Sequence, residues 1–365
     1  MLNKKARVIA YYLPQYHPIP ENDKFWGKGF TEWTNVVQAR PLFHGHYQPR
    51  IPQDLGFYDL RLPEIREAQA EMAFEAGIEG FMYWHYWFGE GKELLERPFN
   101  EVVDSGKPNF PFCLGWANHD WSTKTWSTSK KYENIMIAKQ KYPGDEDIIL
   151  HFNKYLKAFK DSRYIKVDGK LLFVIFSPMD IPNMQRHKMI WNQLALENGL
   201  NGFHFVGIKK SRTDTEKDIL NLGFDAINDR SLWDAEASLM GSKNIRRLKT
   251  LLSRNGLVLN KYKYSDIINH LGSEIDYNEN VYPTILPGYD RTPRAGRKAC
   301  IYYGATPELF KNHVLKTLKY VEKKESDHKI IFLKSWNEWG ESNYMEPDLK
   351  FGRGFLDALR EALSE

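Results

Sequence analysis

Eight short runs of β-branched and aromatic residues alternate with longer stretches of helical periodicity along this chain of 365 residues. The alternation is typical of repeated βα units, in which each helix returns the chain to the start of the next parallel strand. We predict strands at 7–14, 80–87, 110–117, 171–176, 203–209, 224–229, 281–289 and 329–336. We predict helices at 60–76, 92–105, 145–160, 183–198, 213–222, 306–324 and 353–364.

Eight units of this kind favour a closed (β/α)8 barrel, the α/β TIM-barrel fold, with long βα loops. We expect a single domain over 1–365 with an insertion around 232–279, because no Pro/Ser-rich linker divides the chain. An open doubly wound sheet is the alternative. It is less favoured because no G-x-G-x-x-G or P-loop pattern follows the first strand, where a nucleotide-binding sheet would carry it.

Charge and cysteine content disfavour several classes of function. The chain has 51 Lys and Arg against 47 Asp and Glu, scattered along its length, so nucleic acid is not expected as a partner. Cys113 and Cys300 lie in apolar segments and indicate neither a disulfide framework nor a zinc site. No stretch approaches the roughly 20 apolar residues of a membrane span. Without a signal-peptide pattern at the amino terminus, a cytoplasmic location is expected, and the oligomeric state stays open.

Polar and aromatic side chains recur just after almost every predicted strand. Strand ends meet at one mouth of a barrel, and so many polar groups would be costly in a core, so we expect them to line a polyol-binding cleft. The substrate-binding candidates are Tyr11, Tyr12, Gln15, Tyr16, Trp26, Glu32, Trp33, Tyr83, His85, Tyr86, Trp116, Asn118, His119, Tyr289, Trp336, Asn337 and Trp339. The same ring includes Trp121, Asn228, Asp229, Arg230, Asp290, Arg291 and Arg294.

The segment SWNEWGE places Glu338 and Glu341 directly after the last predicted strand, with Gly340 allowing a sharp turn between them. Glycoside cleavage needs one carboxyl group with a raised pKa and a second, ionised one. The flanking Trp336 and Trp339 are expected to desolvate the acid. Capping of a surface helix is the alternative for an E-x-x-E pair, but the position after a strand favours catalysis.

Other chemistries have weaker support. The pair His44 and His46 has metal-like spacing but is too short a motif to indicate a metal site. Asp145 and Asp147 lie at a predicted helix start, where acids stabilise the helix dipole. No G-x-S-x-G pattern is present, and Cys113 lies within a strand, so a serine or cysteine nucleophile lacks support. We therefore expect neither a metal nor a cofactor.

Four long motifs resemble the WbsX-type family of polysaccharide biosynthesis proteins, which is often labelled glycosyltransferase. They are YYLPQYHPIPENDKFWGKGFTEW, GFMYWHYWF, LGWANHDW and SWNEWGESNYMEP. The resemblance covers nearly the whole chain. That family is in turn similar to glycoside hydrolase family 99, the endo-acting α-mannosidases and mannanases, through the barrel, the strand-eight motif and ILPGYDRTPR.

The resemblance implies a retaining mechanism in which the sugar's own 2-hydroxyl attacks the anomeric carbon. Glu338 would be the base that assists this hydroxyl, and Glu341 the acid that protonates the leaving group. Glu346 would support the pocket. Arg294 would bind a sugar hydroxyl, with Arg291 as the alternative.

The predicted function is a carbohydrate-active enzyme, a retaining hydrolase of bacterial surface polysaccharides, with an oligo- or polysaccharide as its partner. A glycosyltransferase and a glycan-binding barrel without turnover are the alternatives. The hydrolases have a shorter aromatic loop after the first strand, so the long loop of this chain is expected to close part of the cleft.

Overall fold

Eight parallel strands form a closed barrel in this computed structural model, which describes residues 5–123, 135–210, 214–230 and 232–364. The strands are β1 (Arg7–Tyr12), β2 (Gly80–Trp87), β3 (Phe112–Trp116), β4 (Lys170–Ile175), β5 (Phe203–Lys209), β6 (Ala226–Asp229), β7 (Val281–Ile285) and β8 (Ile330–Leu333). Each strand pairs with the next in sequence, and β8 pairs with β1, which closes the barrel. The predicted (β/α)8 fold is confirmed.

Helices connect the strands and surround the barrel. They are α1 (Pro20–Trp26), α2 (Trp33–Gln38), α3 (Pro63–Glu75), α4 (Arg97–Ser105), α5 (Asp145–Phe159), α6 (Met184–Glu197), α7 (Glu216–Asn221), α8 (Leu232–Leu239), α9 (Lys243–Arg254), α10 (Tyr264–His270), α11 (Thr292–Ala295), α12 (Pro307–Val321) and α13 (Gly354–Ser364). In the described ranges, no helix has both the length and the apolar character that crossing a membrane requires.

Several elements are shorter than the sequence patterns predicted, and prolines lie at their boundaries. The predicted strand 281–289 ends at Ile285, because Pro287 has no N–H to continue the ladder. The chain then forms a short strand, Tyr289–Asp290, antiparallel to Cys300–Tyr303. The predicted helix 92–105 begins only at Arg97, with a proline in its first turn, because Glu93–Leu94 pairs with the end of β2.

The long connection between β6 and β7 carries α8, α9 and α10. A short strand within it, Asn260–Lys263, pairs in parallel with Cys300–Tyr303, so that the connection joins the segment that follows β7. The extent of a single domain over 1–365, with an insertion around 232–279, stays a prediction.

The barrel strands are buried almost throughout, and aromatic rings fill much of the interior. The Phe332 side chain in β8 is fully buried, and its ring centre lies 5.7 Å from that of Tyr11 and 6.3 Å from that of Tyr282. These contacts join β8 to its two neighbours, β1 and β7. Dense packing of this kind holds the strand ends, and the residues that follow them, in fixed positions.

We predict that Phe332→Ala lowers the free energy of unfolding by about 3–5 kcal/mol, because it leaves a cavity among the barrel rings. The matched control is Phe74→Ala on α3, where the phenylalanine is 68% exposed and the expected change is within about 0.5 kcal/mol. Urea denaturation followed by tryptophan fluorescence measures both. Equal losses for the two variants would contradict the packing argument.

Candidate active site

A cavity of about 360 Å³ lies at the carboxyl ends of the barrel strands. This volume is in the range of small-molecule sites in proteins. Its aromatic wall is formed by Tyr11, Trp84, Tyr86, Trp121, Phe176, Trp233 and Tyr289. Its charged lining consists of Arg230, Glu236, Arg291, Arg294, Lys334, Glu338 and Glu341.

Arg294, on the short helix α11, is surrounded by three carboxylates. Its Nε donates to Glu32, and one terminal nitrogen donates both to Glu32, at 2.8 Å, and to Glu338. The other terminal nitrogen donates to Glu341 at 2.9 Å. Only 8% of the Arg294 side chain is exposed. The arginine that was predicted to bind a sugar hydroxyl therefore donates to three protein carboxylates, and it fixes their relative positions.

Glu341 is surrounded by positive charge. Besides Arg294, it contacts Lys334 Nζ at 3.2 Å and Arg291 Nε at 3.2 Å. Burial alone would raise the pKa of Glu341, but Lys334, Arg294 and Arg291 together hold it well below its ordinary value. Glu341 is therefore ionised at neutral pH.

Glu338 differs because Arg294 is the one cation that it contacts among the described residues. Burial raises the pKa of Glu338 to about 7, and the negative charges of Glu341 and Glu32 act in the same direction against Arg294 and Lys334. Near neutral pH, a substantial fraction of Glu338 is therefore protonated, whereas Glu341 is ionised. General acid and base catalysis needs this division.

Gly340 has a spatial role that differs from the predicted one. It lies in the short turn Trp339–Glu341, where a Cβ atom would come within 1.8 Å of Glu32 Oε1. The glycine is required because the Glu32 carboxylate approaches the backbone closely. Gln15 donates to the same carboxylate through its side-chain amide. The loop after β1 thereby delivers a third acid to the pair.

Ten of the residues predicted for the site and its ring line the cavity together. They are Tyr11, Tyr86, His119, Trp121, Arg230, Tyr289, Arg291, Arg294, Glu338 and Glu341. Tyr11 also donates to Asn228, whose amide donates to Thr284 at 2.9 Å, so its hydroxyl is held by a network between β1, β6 and β7. The substrate-binding roles of these residues stay predictions, but their positions are compatible with them.

Glu346 is buried and does not line the cavity. Its carboxylate accepts hydrogen bonds from Tyr58 at 2.8 Å, Gln69 at 2.6 Å and Trp339 Nε1 at 2.6 Å. Burial raises the pKa of Glu346 to about 7 against these three donors. Tyr12, another candidate, donates to the same Gln69 at 2.7 Å. This network ties the segment after β8 to Tyr58 and Gln69.

Other candidates around the first loop also contact protein groups and not the cavity. The backbone N–H of Trp339 donates to the Tyr16 hydroxyl at 2.9 Å, and Trp33 Nε1 donates to the Tyr58 carbonyl at 2.8 Å. The Asn337 side chain accepts from the backbone N–H of Leu13 at 2.8 Å and donates to its carbonyl at 3.0 Å. These contacts bind the first loop to the segment that carries the two glutamates.

The tryptophans expected to desolvate the acid pack against other aromatic rings and do not line the cavity. The Trp339 ring stacks on Tyr344 at 3.6 Å between centres, and the Trp336 ring lies 5.3 Å from Phe81. Trp26 stacks on Phe30 at 5.6 Å. None of these three rings lines the cavity, and their direct contact with a sugar stays a prediction.

Four further candidates, at the ends of β2 and β3, also pack against protein groups. His85 Nε2 lies 2.9 Å from His151 Nε2, and the Tyr83 ring packs on Tyr12 at 4.4 Å. Trp116 Nε1 donates to a backbone carbonyl at 2.8 Å. Asn118 donates to the Ser177 carbonyl at 2.8 Å, joining the ends of β3 and β4. None of these four lines the cavity.

Sequence reasoning missed Lys334, Phe176, Trp233 and Glu236 in the lining. A lysine at the end of the apolar run IIFLKSW was a usable signal, since a buried charge needs a partner. Trp233 and Glu236 lie on α8, in the region whose layout the sequence patterns did not resolve. Phe176 follows β4 as one more apolar residue and carried no signal.

The weaker motifs have structural partners. His46 Nε2 lies 2.7 Å from Asp290, Asp145 pairs with Arg186, and Asp147 accepts from Trp87 Nε1 at 3.1 Å. Among the described residues, no group of three or more His, Cys, Asp or Glu side chains has an arrangement that could hold a metal ion.

Comparison with known proteins identifies relatives in sequence. The family described as "Glycosyltransferase WbsX" matches residues 8–359. Proteins from two strains of Xanthomonas campestris pv. campestris, both described as "Uncharacterized protein WxcX", are 34% identical over 362 residues. That region is 98% of this chain but 50% of each relative, so the chain spans about half the length of the curated relatives it matches.

Solved structures share the fold at low sequence identity. A "Glycoside hydrolase-like protein" superposes with a TM-score of 0.57 at 14% identity, over 100% of this chain and 96% of that one. The GH99 endo-α-mannosidase from Bacteroides thetaiotaomicron superposes with a TM-score of 0.55 at 16% identity, over 98% of each chain. At such identities, the likeness concerns the fold.

We predict that Gly340→Ala lowers the free energy of unfolding by about 2 kcal/mol, because the new methyl group displaces the Glu32 carboxylate from Arg294. In a Glu32→Ala background the same change should cost less than about 1 kcal/mol, because the space is then free. A double-mutant cycle by urea denaturation measures the difference. Additive losses would show that the two side chains do not compete for this space.

A second prediction concerns stability and pH. The folded-state pKa of Glu338 is raised from 4.5 to about 7, so its contribution to stability is present below pH 4.5 and is lost as the pH rises through 7. Glu338→Gln mimics the protonated form. It should therefore gain about 2 kcal/mol relative to the wild type between about pH 5 and 8. The control, Glu361→Gln at a 56% exposed side chain, should give a curve parallel to the wild type. A parallel curve for Glu338→Gln as well would rule out the raised pKa.

Proposed function

The chain belongs to the WbsX family, and from that premise we propose that it is a carbohydrate-active enzyme, a retaining hydrolase of glycosidic bonds in bacterial surface polysaccharides. The observation that carries the proposal is the buried pair Glu338 and Glu341 in an aromatic-walled cavity, where the pKa of Glu338 is raised and that of Glu341 is lowered. Aromatic faces suit the apolar faces of sugar rings. The α-mannosyl unit is the first substrate to test, by analogy with the fold relatives.

The proposed reaction proceeds in two steps. The base accepts the proton of the sugar 2-hydroxyl while this oxygen attacks the anomeric carbon, and the acid donates its proton to the leaving oxygen as the glycosidic bond breaks. Water then opens the 1,2-anhydro ring. The group that acted as the acid, now a carboxylate, accepts a proton from that water, and the base returns its proton to the 2-oxygen. Each step needs one protonated and one ionised carboxyl group.

The resemblance assigns the base to Glu338 and the acid to Glu341, whereas the raised pKa of Glu338 and the lowered pKa of Glu341 favour the proton on Glu338. Under the first assignment, the proton must move to Glu341 when substrate binds. The reverse assignment needs no such movement. Since both assignments use one proton per pair, a pH profile alone does not separate them.

A glycosyltransferase is the second candidate, because the matching family is described by that activity. It requires an activated donor such as a nucleotide sugar. Consumption of a nucleotide sugar with transfer to a glycan would favour it, whereas release of reducing ends without a donor favours hydrolysis. Binding of glycans with neither activity would favour a glycan-binding barrel.

We predict that Glu338→Gln and Glu341→Gln each lower kcat by about 10²–10⁴-fold on mannose- or rhamnose-containing glycans, because each removes one partner of the proton transfer. Glycan binding, measured by calorimetry, should be largely retained. Reducing-end release measures turnover, with Glu361→Gln as the control. Full activity in either variant would remove that residue from the chemistry.

The acid and the base can be told apart with substrates that carry an activated aryl leaving group. Such a group departs without protonation, so the variant that lacks the acid should recover about 10²-fold or more of its lost activity. The variant that lacks the base should recover none. Recovery in Glu341→Gln supports the assignment from the resemblance, and recovery in Glu338→Gln supports the reverse.

A further inference from the structure

Arg230 lines the same cavity as the carboxylate pair, directly after the carboxyl end of β6. Its guanidinium carbon lies 5.4 Å from the centre of the Phe176 ring, which follows β4. Phe176 is itself held edge-to-face against Trp84 at 5.7 Å. A guanidinium over a fixed aromatic ring keeps its plane and direction, so this cation is held in a preorganised position.

Among the residues that the structure describes, no acid forms an ion pair with Arg230. The other three cations of the cavity contact Glu338 or Glu341. By contrast, within the part of the chain that the structure describes, Arg230 Nε donates no hydrogen bond and the Arg230 side chain forms no ion pair. Glu236, the third acid of the lining, accepts from the Tyr302 hydroxyl at 2.7 Å.

The unmatched charge acts on its surroundings. Burial lowers the pKa of Lys334, the neighbouring Glu341 raises it, and the positive charge of Arg230 lowers it again. Two cations therefore repel each other across this part of the cavity. A negative group bound at Arg230 would offset this repulsion and satisfy the unused donors.

We infer that Arg230, placed over the Phe176 ring, forms a subsite for an anionic group on the sugar chain, a carboxylate such as that of a uronic acid. The planar guanidinium can donate two parallel hydrogen bonds to such a carboxylate. The inference rests on the proposed function, because the subsite shares the cavity of the catalytic pair. It adds a preference for acidic over neutral glycans. The phosphates of a nucleotide sugar offer related chemistry, and the experiment separates the two sources.

The test uses acidic oligosaccharides that contain uronic acid and the same oligosaccharides after carboxyl reduction, which converts each carboxylate to a neutral CH₂OH group. Calorimetry gives Kd for the wild type, Arg230→Gln, Arg230→Lys and Lys210→Gln. Lys210 is the matched control, because its Nζ lies 5.2 Å from the centre of the same Phe176 ring but the residue does not line the cavity. Thermal unfolding checks that each variant is folded.

The wild type should bind the acidic form about 10–100-fold more tightly than the reduced form, in line with one charge-assisted bidentate contact. Arg230→Gln should remove this difference and leave the Kd of the reduced form within about threefold. Arg230→Lys should keep part of the preference, and Lys210→Gln should keep all of it. If Arg230→Gln does not fold, the test is the preference for the acidic form in Arg230→Lys, which should be weaker than that in Lys210→Gln.

The subsite would be overturned by no preference in the wild type, by a preference that persists in Arg230→Gln, or by equal weakening of both ligands. Loss of GDP-mannose binding in Arg230→Gln with unchanged binding of acidic glycans would also overturn it and assign the arginine to a donor phosphate. Reducing-end release is measured separately. Cleavage of neutral glycans without an acidic preference would refute the subsite alone, whereas acidic binding without cleavage would refute the proposed hydrolysis alone.

Discussion

The contact of one guanidinium, that of Arg294, with three buried carboxylates is the interaction on which the site depends. A carboxylate taken out of water loses several kcal/mol of hydration unless donors and opposite charge replace it. Arginine can serve Glu32, Glu338 and Glu341 at once because its five N–H groups lie in one plane and point in several directions. A lysine offers a single point charge and would leave at least one of these acids without a partner.

The same cluster makes two chemically identical residues different. Glu341 has two further cations, Lys334 and Arg291, within 3.2 Å, whereas Glu338 shares Arg294 with the other acids. The pKa values of the two glutamates therefore move in opposite directions. Acid and base roles in one pocket arise from such unequal surroundings. The protein creates the inequality with Lys334, Arg291 and Arg294, which line the cavity together with the two glutamates.

The closed barrel brings these groups together from distant parts of the sequence. Glu32 comes from the loop after β1, Arg294 from the segment after β7, and the pair from the segment after β8. The Glu32 and Arg294 contact joins residues separated by 262 positions. Because β8 pairs with β1, the first and last strand ends are neighbours, and their loops can share one cluster of charge. Fixed strand register then keeps the cluster in place.

Sequence patterns were sufficient for the barrel and for the location of Glu338 and Glu341, because strand and helix periodicity is local and barrel chemistry gathers at strand ends. They were not sufficient for the division of the aromatic residues. Tyr11 and Tyr86 line the cavity, whereas Trp116 and Trp339 are buried against other protein groups. The sequence could not distinguish them, because the same aromatic side chains suit both a sugar site and a core. The partners of Arg294 and the need for glycine at 340 were decided only by the tertiary structure. Ion pairing and close approach depend on distance in space, and only the closed strand register determines that distance.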